Sequence, residues 1–224
     1  MFTHSFSSTN KFETCPRQFE DRYILKHKEP PTEATQWGER VHSTLEDKVA
    51  GKIAELPEGM TKLDWAIAPA VKAKEQGWLV LTEHKVALDR YMQPVTFDSR
   101  QAWLRSILDV LMISNGHGFV SDYKTGKRRL SWQLELSSLI TFHTYPLVDR
   151  IEARYLWLKD SVKETRTDKT VYKRSDTAHM AGNIFPRIIK VEKALESGKF
   201  EPRPSGLCAG WCSVKSCEFW KAKK

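Results

Sequence analysis

The chain has 224 residues, with 36 Lys and Arg against 28 Asp and Glu, for a net charge of +8. That length is enough for one large domain with a real core, and 40% hydrophobic with 29% charged residues excludes disorder as the dominant state. Every apolar run falls far short of the roughly 20 residues that a bilayer span needs, and the opening MFTHSFSSTNKFETCP has no basic-then-apolar leader. The expectation is a soluble cytoplasmic protein with no membrane partner. Its positive charge fits either plain solubility or an acidic partner, nucleic acid foremost.

In chain order, residues 7–26 read as helical, with Phe12, Cys15, Phe19 and Tyr23 at three- and four-residue spacing and Pro16 as a bend or restart. A helix is expected over 35–50, with Trp37, Val41, Leu45 and Val49 on one stripe and Gly51 as its stop. Another is expected over 64–76, interrupted by Pro69. Strands follow over 78–88, 102–113 and 118–124. Asn115-Gly116 is a hairpin signal that pairs the last two antiparallel. Residues 130–147 read as a helix, 151–159 and 170–173 as strands, and 176–197 as a helix containing Pro186. A turn-rich tail begins at Phe200. This order implies a mixed α/β core flanked by helices, not a doubly wound sheet.

Cys15 stands alone near the start, followed by Pro16, and Cys208, Cys212 and Cys217 cluster in the tail. In a reducing compartment these are not a disulfide set. Four thiolates suit zinc or an iron–sulfur cluster. Structural zinc usually takes two close Cys pairs, and Cys-Pro recurs in cluster-binding runs. The bland alternative is four small buried residues.

Asp109 is the only charged residue in SILDVLMI, where an ionised carboxylate is costly unless paired or bound to a cation. Asp122 and Lys124, two apart on a strand, share a face. The hairpin would bring Asp109 and Asp122 onto neighbouring strands within reach of one Mg²⁺ or Mn²⁺. Alone, an Asp-x-Lys triplet also fits an ordinary ion pair at a strand end. His42 shares a helical column with Gly38 and Glu46, where a lone His is more often structural. Glu83, between LVL and VAL, is either an inward carboxylate or an exposed strand charge. Lys127, Arg128 and Arg129 form a basic turn before Trp132 and Gln133, suited to a phosphodiester backbone or merely to solvent.

Together these residues resemble the PD-(D/E)XK nuclease superfamily. More narrowly they resemble its RecB-like branch, which includes CRISPR-associated and AddB-type nucleases with an iron–sulfur cluster. GERVH resembles the G-x-x-x-H motif, LDV the central aspartate motif, SDYKTGK the D/E-x-K motif, and WQLELSSLITF the helix that a glutamine begins. The usual Tyr of that helix is replaced around Ser137 and Ser138. The tail is spaced C-x3-C-x4-C where relatives usually show C-x2-C-x5-C, with the same overall span.

The resemblance implies a restriction-endonuclease-like fold in one domain over 1–224, with 1–30 and 200–224 forming the cluster region. It implies that His42, Asp109, Asp122 and the Tyr123 carbonyl hold Mg²⁺ or Mn²⁺. Lys124 would be the catalytic lysine, with Gln133 and Glu83 assisting and Lys127, Arg128 and Arg129 on DNA. Cys15, Cys208, Cys212 and Cys217 would hold a 4Fe-4S cluster, or alternatively Zn²⁺, as a staple between the chain ends. The implied activity is a DNA exonuclease of recombination or repair, in host cytoplasm if phage-encoded, with replication or recombination proteins as partners. The rival is a DNA-binding adaptor of the same fold that has lost turnover.

Overall fold

The computed structural model describes residues 1–159 and 169–222. The described residues fall into two compact units, one of 1–3 and 32–181, the other of 4–31 and 182–224.

The first unit holds two helices, α3 (Glu33–Ala50) and α4 (Asp64–Glu75), then strands β1 (Leu79–Leu88), β2 (Pro94–Val95), β3 (Leu104–Ser114) and β4 (His117–Lys124). Helix α5 (Gln133–Thr144) follows, then β5 (Arg150–Trp157) and β6 (Lys169–Lys173). The six strands lie in the order β2-β1-β3-β4-β5-β6. All neighbours pair antiparallel except β4 and β5, which run parallel with α5 as their crossover. The mixed sheet with flanking helices is the expected α/β class. The short edge strand β2 is an addition, because Pro94 hides it from a pattern search.

Local chemistry fixes the elements that carry the site. Thr32 and Thr35 cap α3 reciprocally, and Gly51 ends it in the left-handed region at φ 84°. Val41, Leu45 and Val49 bury its stripe against Ala66, Ile67 and Ala70 of α4 and against Val110, Met112 and Tyr123 of the sheet. The β3–β4 hairpin turns at Asn115 and Gly116, both at positive φ. Helix α5 is apolar on every side and buried from Leu134 to Phe142 except Glu135. It is shorter than expected, since Trp132 and Tyr145 leave helical geometry at its two ends.

The β1–β3 ladder has one irregularity. Its register passes from Thr82–Val110 to His84–Leu108, and Glu83 and Asp109 occupy the position between. Val80, Val110 and Met112 pack on the α3–α4 side. His84 instead meets Tyr145 at the end of α5, and Ser106 meets Ser137 within it. Residues an even number apart share a face of a regular strand, so the alternation reverses across the Glu83–Asp109 pair. Glu83 absorbs the reversal with φ 45°, a left-handed backbone that non-glycine residues seldom adopt.

The second unit takes α1 (Phe6–Thr14), α2 (Pro16–Phe19), a π-helical turn over Glu20–Ile24, and the residues from Gly182 onward of α6 (Thr177–Ser197), plus the tail. The single helix expected over 7–26 is broken at Cys15, which is extended, and Pro16 starts the next helix where its missing N–H costs nothing. Phe19 meets Phe12, Tyr23 and Phe200. Arg187 pairs with Glu13 at 2.5 Å. The tail closes on itself through an Ala209–Lys221 bridge and a Trp220 indole N–H donated to the Cys212 carbonyl at 3.0 Å.

Candidate active site

Four elements of the first unit converge on one group of polar side chains. Helix α3 brings His42, β1 brings Glu83, β3 brings Asp109, and β4 brings Asp122 and Lys124. His42 Nδ1 lies 3.4 Å from Asp109 Oδ2 and 3.9 Å from Glu83 Oε1. The three residues offer ligand atoms all within 4.8 Å of one another, the one such set among the described residues. An imidazole and two carboxylates are a donor set for a divalent ion.

Asp109 has a second role. The β3–β4 ladder stops at Val110–Ser121, and beyond it the Tyr123 backbone N–H donates to Asp109 Oδ2 at 2.7 Å instead of to a strand partner. One carboxylate thus holds the opened strands together. The Tyr123 side chain is buried edge-on to the His42 ring, where burial pushes its phenol pKa upward.

Asp122 is buried beside this set, and its carboxylate is engaged elsewhere. Its Oδ2 lies 2.7 Å from Lys124 Nζ, and its Oδ1 accepts from Gln133 Nε2 at 2.5 Å. Gln133 Oε1 in turn accepts from Lys124 Nζ at 2.9 Å. Asp122, Lys124 and Gln133 therefore close a three-membered ring of contacts. The compact ligand set takes in Glu83, which the sequence left evenly balanced, and Asp122 lies outside it, held by Lys124 and Gln133.

The electrostatics favour a cation. Burial opposes charge on His42, yet the nearby carboxylates of Asp109 and Glu83 and the field of Asp122 raise its pKa to about 10. Burial, then the charge of Asp109, pushes the Asp122 carboxyl well above the usual carboxylate range, against the pull of Lys124. A site that draws protons this strongly has a surplus of negative potential that a metal ion can neutralise.

A groove of about 710 Å³ opens beside the set, lined by Trp37, Gly38, His42, Glu46, Glu83 and Thr125 among others. Lys127, Arg128 and Arg129 lie exposed on the turn after β4.

The sequence missed Tyr155. In the β4–β5 register it sits beside Asp122, with its ring 5.5 Å from Lys124 Nζ and its hydroxyl 2.7 Å from Ser131 Oγ. It backs the lysine from a strand that only the parallel crossover brings alongside, and no local pattern signals that pairing.

All four cysteines lie in the second unit, unbridged, around one small cavity with Arg203, Val214 and Trp220. The Arg203 N–H points at Cys15 Sγ at 3.3 Å and the Ser205 N–H at Cys208 Sγ at 3.4 Å. Burial raises the Cys212 pKa, and the other three thiols add to the rise.

Residues 3–217 match the PD-(D/E)XK nuclease superfamily. The chain belongs to that superfamily. Its members are metal-dependent nucleases, and the His42–Glu83–Asp109 set beside the D-x-K strand is a candidate metal site. No curated protein sequence matches the chain. Among solved structures, one titled "Crystal structure of SSO0001" is similar at 12% identity over 96% of this chain and 85% of that one, with a TM-score of 0.38. No described helix of this superfamily member is long and apolar enough to cross a membrane.

Proposed function

We propose that the protein is a Mg²⁺- or Mn²⁺-dependent deoxyribonuclease of the RecB-like branch, acting as an exonuclease on DNA ends in recombination or repair. The convergence of His42, Glu83 and Asp109 next to the Asp122–Lys124–Gln133 ring carries this reading. His42, Asp109 and Glu83 would hold the ion, with Asp122 and the Tyr123 carbonyl joining once Asp122 turns from Lys124. A bound divalent ion supplies Lewis acidity and lowers the pKa of water.

The rest of the chemistry belongs to the side chains. Lys124 is aimed by Gln133 and Tyr155, so its ammonium meets a phosphate oxygen without searching rotamers. The Asp122 carboxyl lies 2.7 Å from that ammonium and holds it in place. Lys127, Arg128 and Arg129 would hold the substrate's phosphates.

The exonuclease mode and the repair setting rest on the family resemblance. So does the 4Fe-4S cluster at Cys15, Cys208, Cys212 and Cys217, as a staple between the chain ends in a domain spanning 1–224. One observation supports a shared site there: the four thiols line one cavity.

End-labelled linear DNA with Mg²⁺ or Mn²⁺ tests the enzyme reading. Wild type should degrade it and Lys124→Ala should not. Binding without degradation by wild type would favour the adaptor reading. Anaerobic purification should give a brown protein absorbing at roughly 400 nm. A colourless protein with one zinc per chain would overturn the cluster.

A further inference from the structure

Beyond the Glu83–Asp109 pair, the outer half of β1 and β3 turns its odd-numbered residues away from α5. Lys85, Arg105 and Ile107 lie on that face, Lys85 and Ile107 exposed and Arg105 half-buried. Phe97, from the segment after β2, sits among them. Lys85 Nζ is 5.6 Å and Arg105 Cζ 5.1 Å from its ring centroid. Two cations are thus pinned on one aromatic ring, and among the described residues neither meets a carboxylate at ion-pair distance. Two like charges held close repel each other unless an anion joins them.

Two acids stand in the same stretch, Asp89 and the exposed Asp98 beside Phe97, and among the described residues neither pairs with Lys85 or Arg105. Asp89 is engaged in the β1–β2 turn, accepting from the backbone N–H groups of Tyr91 at 2.8 Å and Gln93 at 2.9 Å. Arg90 and Arg100 add further positive charge to the same stretch.

The geometry points to a specific use. We propose that this face is a track for the phosphodiester backbone of a single DNA strand leading into the Glu83–Asp109 pair, with Lys85 and Arg105 as phosphate contacts and Phe97 as the post that holds them. Strand spacing puts Lys85 about 7 Å and Arg105 about 14 Å from that pair along the sheet. That corresponds to about two and four stacked nucleotides. The track rests on the nuclease reading and extends it, because it leaves the metal site along β1 and β3, not along the Lys127–Arg129 turn after β4. It is sequence-neutral, since charge contacts carry no base information.

The test reads binding separately from hydrolysis. Full-length protein carrying Lys124→Ala is titrated into fluorescein-labelled single-stranded oligonucleotides of increasing length, with anisotropy as the readout. Adding Lys85→Gln and Arg105→Gln together should weaken binding about tenfold to a hundredfold and lower the salt slope by about 1.4, two contacts at about 0.7 each. Phe97→Leu should give a smaller loss in the same direction. Removing one charge at Arg150, at the far end of β5 from Lys124, should change binding less than about twofold. Unchanged affinity and slope in the double variant, with melting temperatures preserved, would overturn the track. Tight binding to duplex alone would overturn it as well. DNA binding that depends on Lys85 and Arg105, in a wild-type protein that cleaves nothing, would overturn the nuclease reading and leave the track standing.

Discussion

Gly38 of α3 rests against Thr125, the residue directly after Lys124: a Cβ at position 38 would lie 3.2 Å from Thr125 Oγ1. One turn later the same helix column carries His42, so this approach fixes the distance between the metal set and the lysine strand. Gly38→Ala gains up to about 1 kcal/mol of helix propensity but crowds Thr125. We expect lower nuclease activity from Gly38→Ala and recovery in the Gly38→Ala/Thr125→Ala pair. Activity and melting measured over the full double-mutant cycle check this, and additivity would refute the coupling.

Gln133 donates to Asp122 and accepts from Lys124 with the two ends of one amide. A carboxylate cannot do both. Gln133→Glu should therefore lower kcat about 10- to 100-fold, as loss of a supporting hydrogen bond at a metal site does, with a smaller change in KM. Steady-state kinetics on a defined oligonucleotide gives both numbers. Equal kcat would remove Gln133 from the machinery.

Glu83 carries a backbone conformation that costs a non-glycine residue of the order of 1–3 kcal/mol. Glu83→Gly should relieve it and melt above Glu83→Ala, while both bind Mn²⁺ more weakly than wild type. Thermal melts with and without Mn²⁺ separate strain from ligation. If the two variants melt alike, position 83 is not strained.

The pH response has a defined sign. His42 binds its proton more tightly folded than unfolded, so its contribution is complete below about pH 6.5 and is lost as pH rises through about 10. Asp122, also shifted upward, acts in the same direction at lower pH. Metal-free protein should therefore lose stability as pH rises. Binding of Mn²⁺ must displace the His42 proton, so its apparent affinity and the melting gain it confers should grow with pH. Melts across this range with and without Mn²⁺ measure the effect, and a gain independent of pH would exclude His42 as a ligand.

Much of the site was legible because it lies on short-range pattern. Asn115-Gly116 announced the hairpin, an isolated charge in an apolar run announced Asp109, and period two linked Asp122 to Lys124. Glu83 stayed ambiguous because its direction depends on a reversal of strand alternation, which a two-residue period cannot represent. Tyr155 stayed hidden because parallel pairing through α5 leaves no local mark. Cys15 looked like one position within a helix, yet it is the extended joint between two.

The β3–β4 hairpin also sets how far apart the parts of the site lie along the chain. Asp109 and Asp122 are joined by the most local pairing in the sheet, whereas Gln133 and Tyr155 reach Asp122 and Lys124 only through the α5 crossover. Loosening the crossover would therefore strip the lysine of its supports while leaving the two carboxylates on neighbouring strands, so the acidic half of the site can outlast the half that positions Lys124.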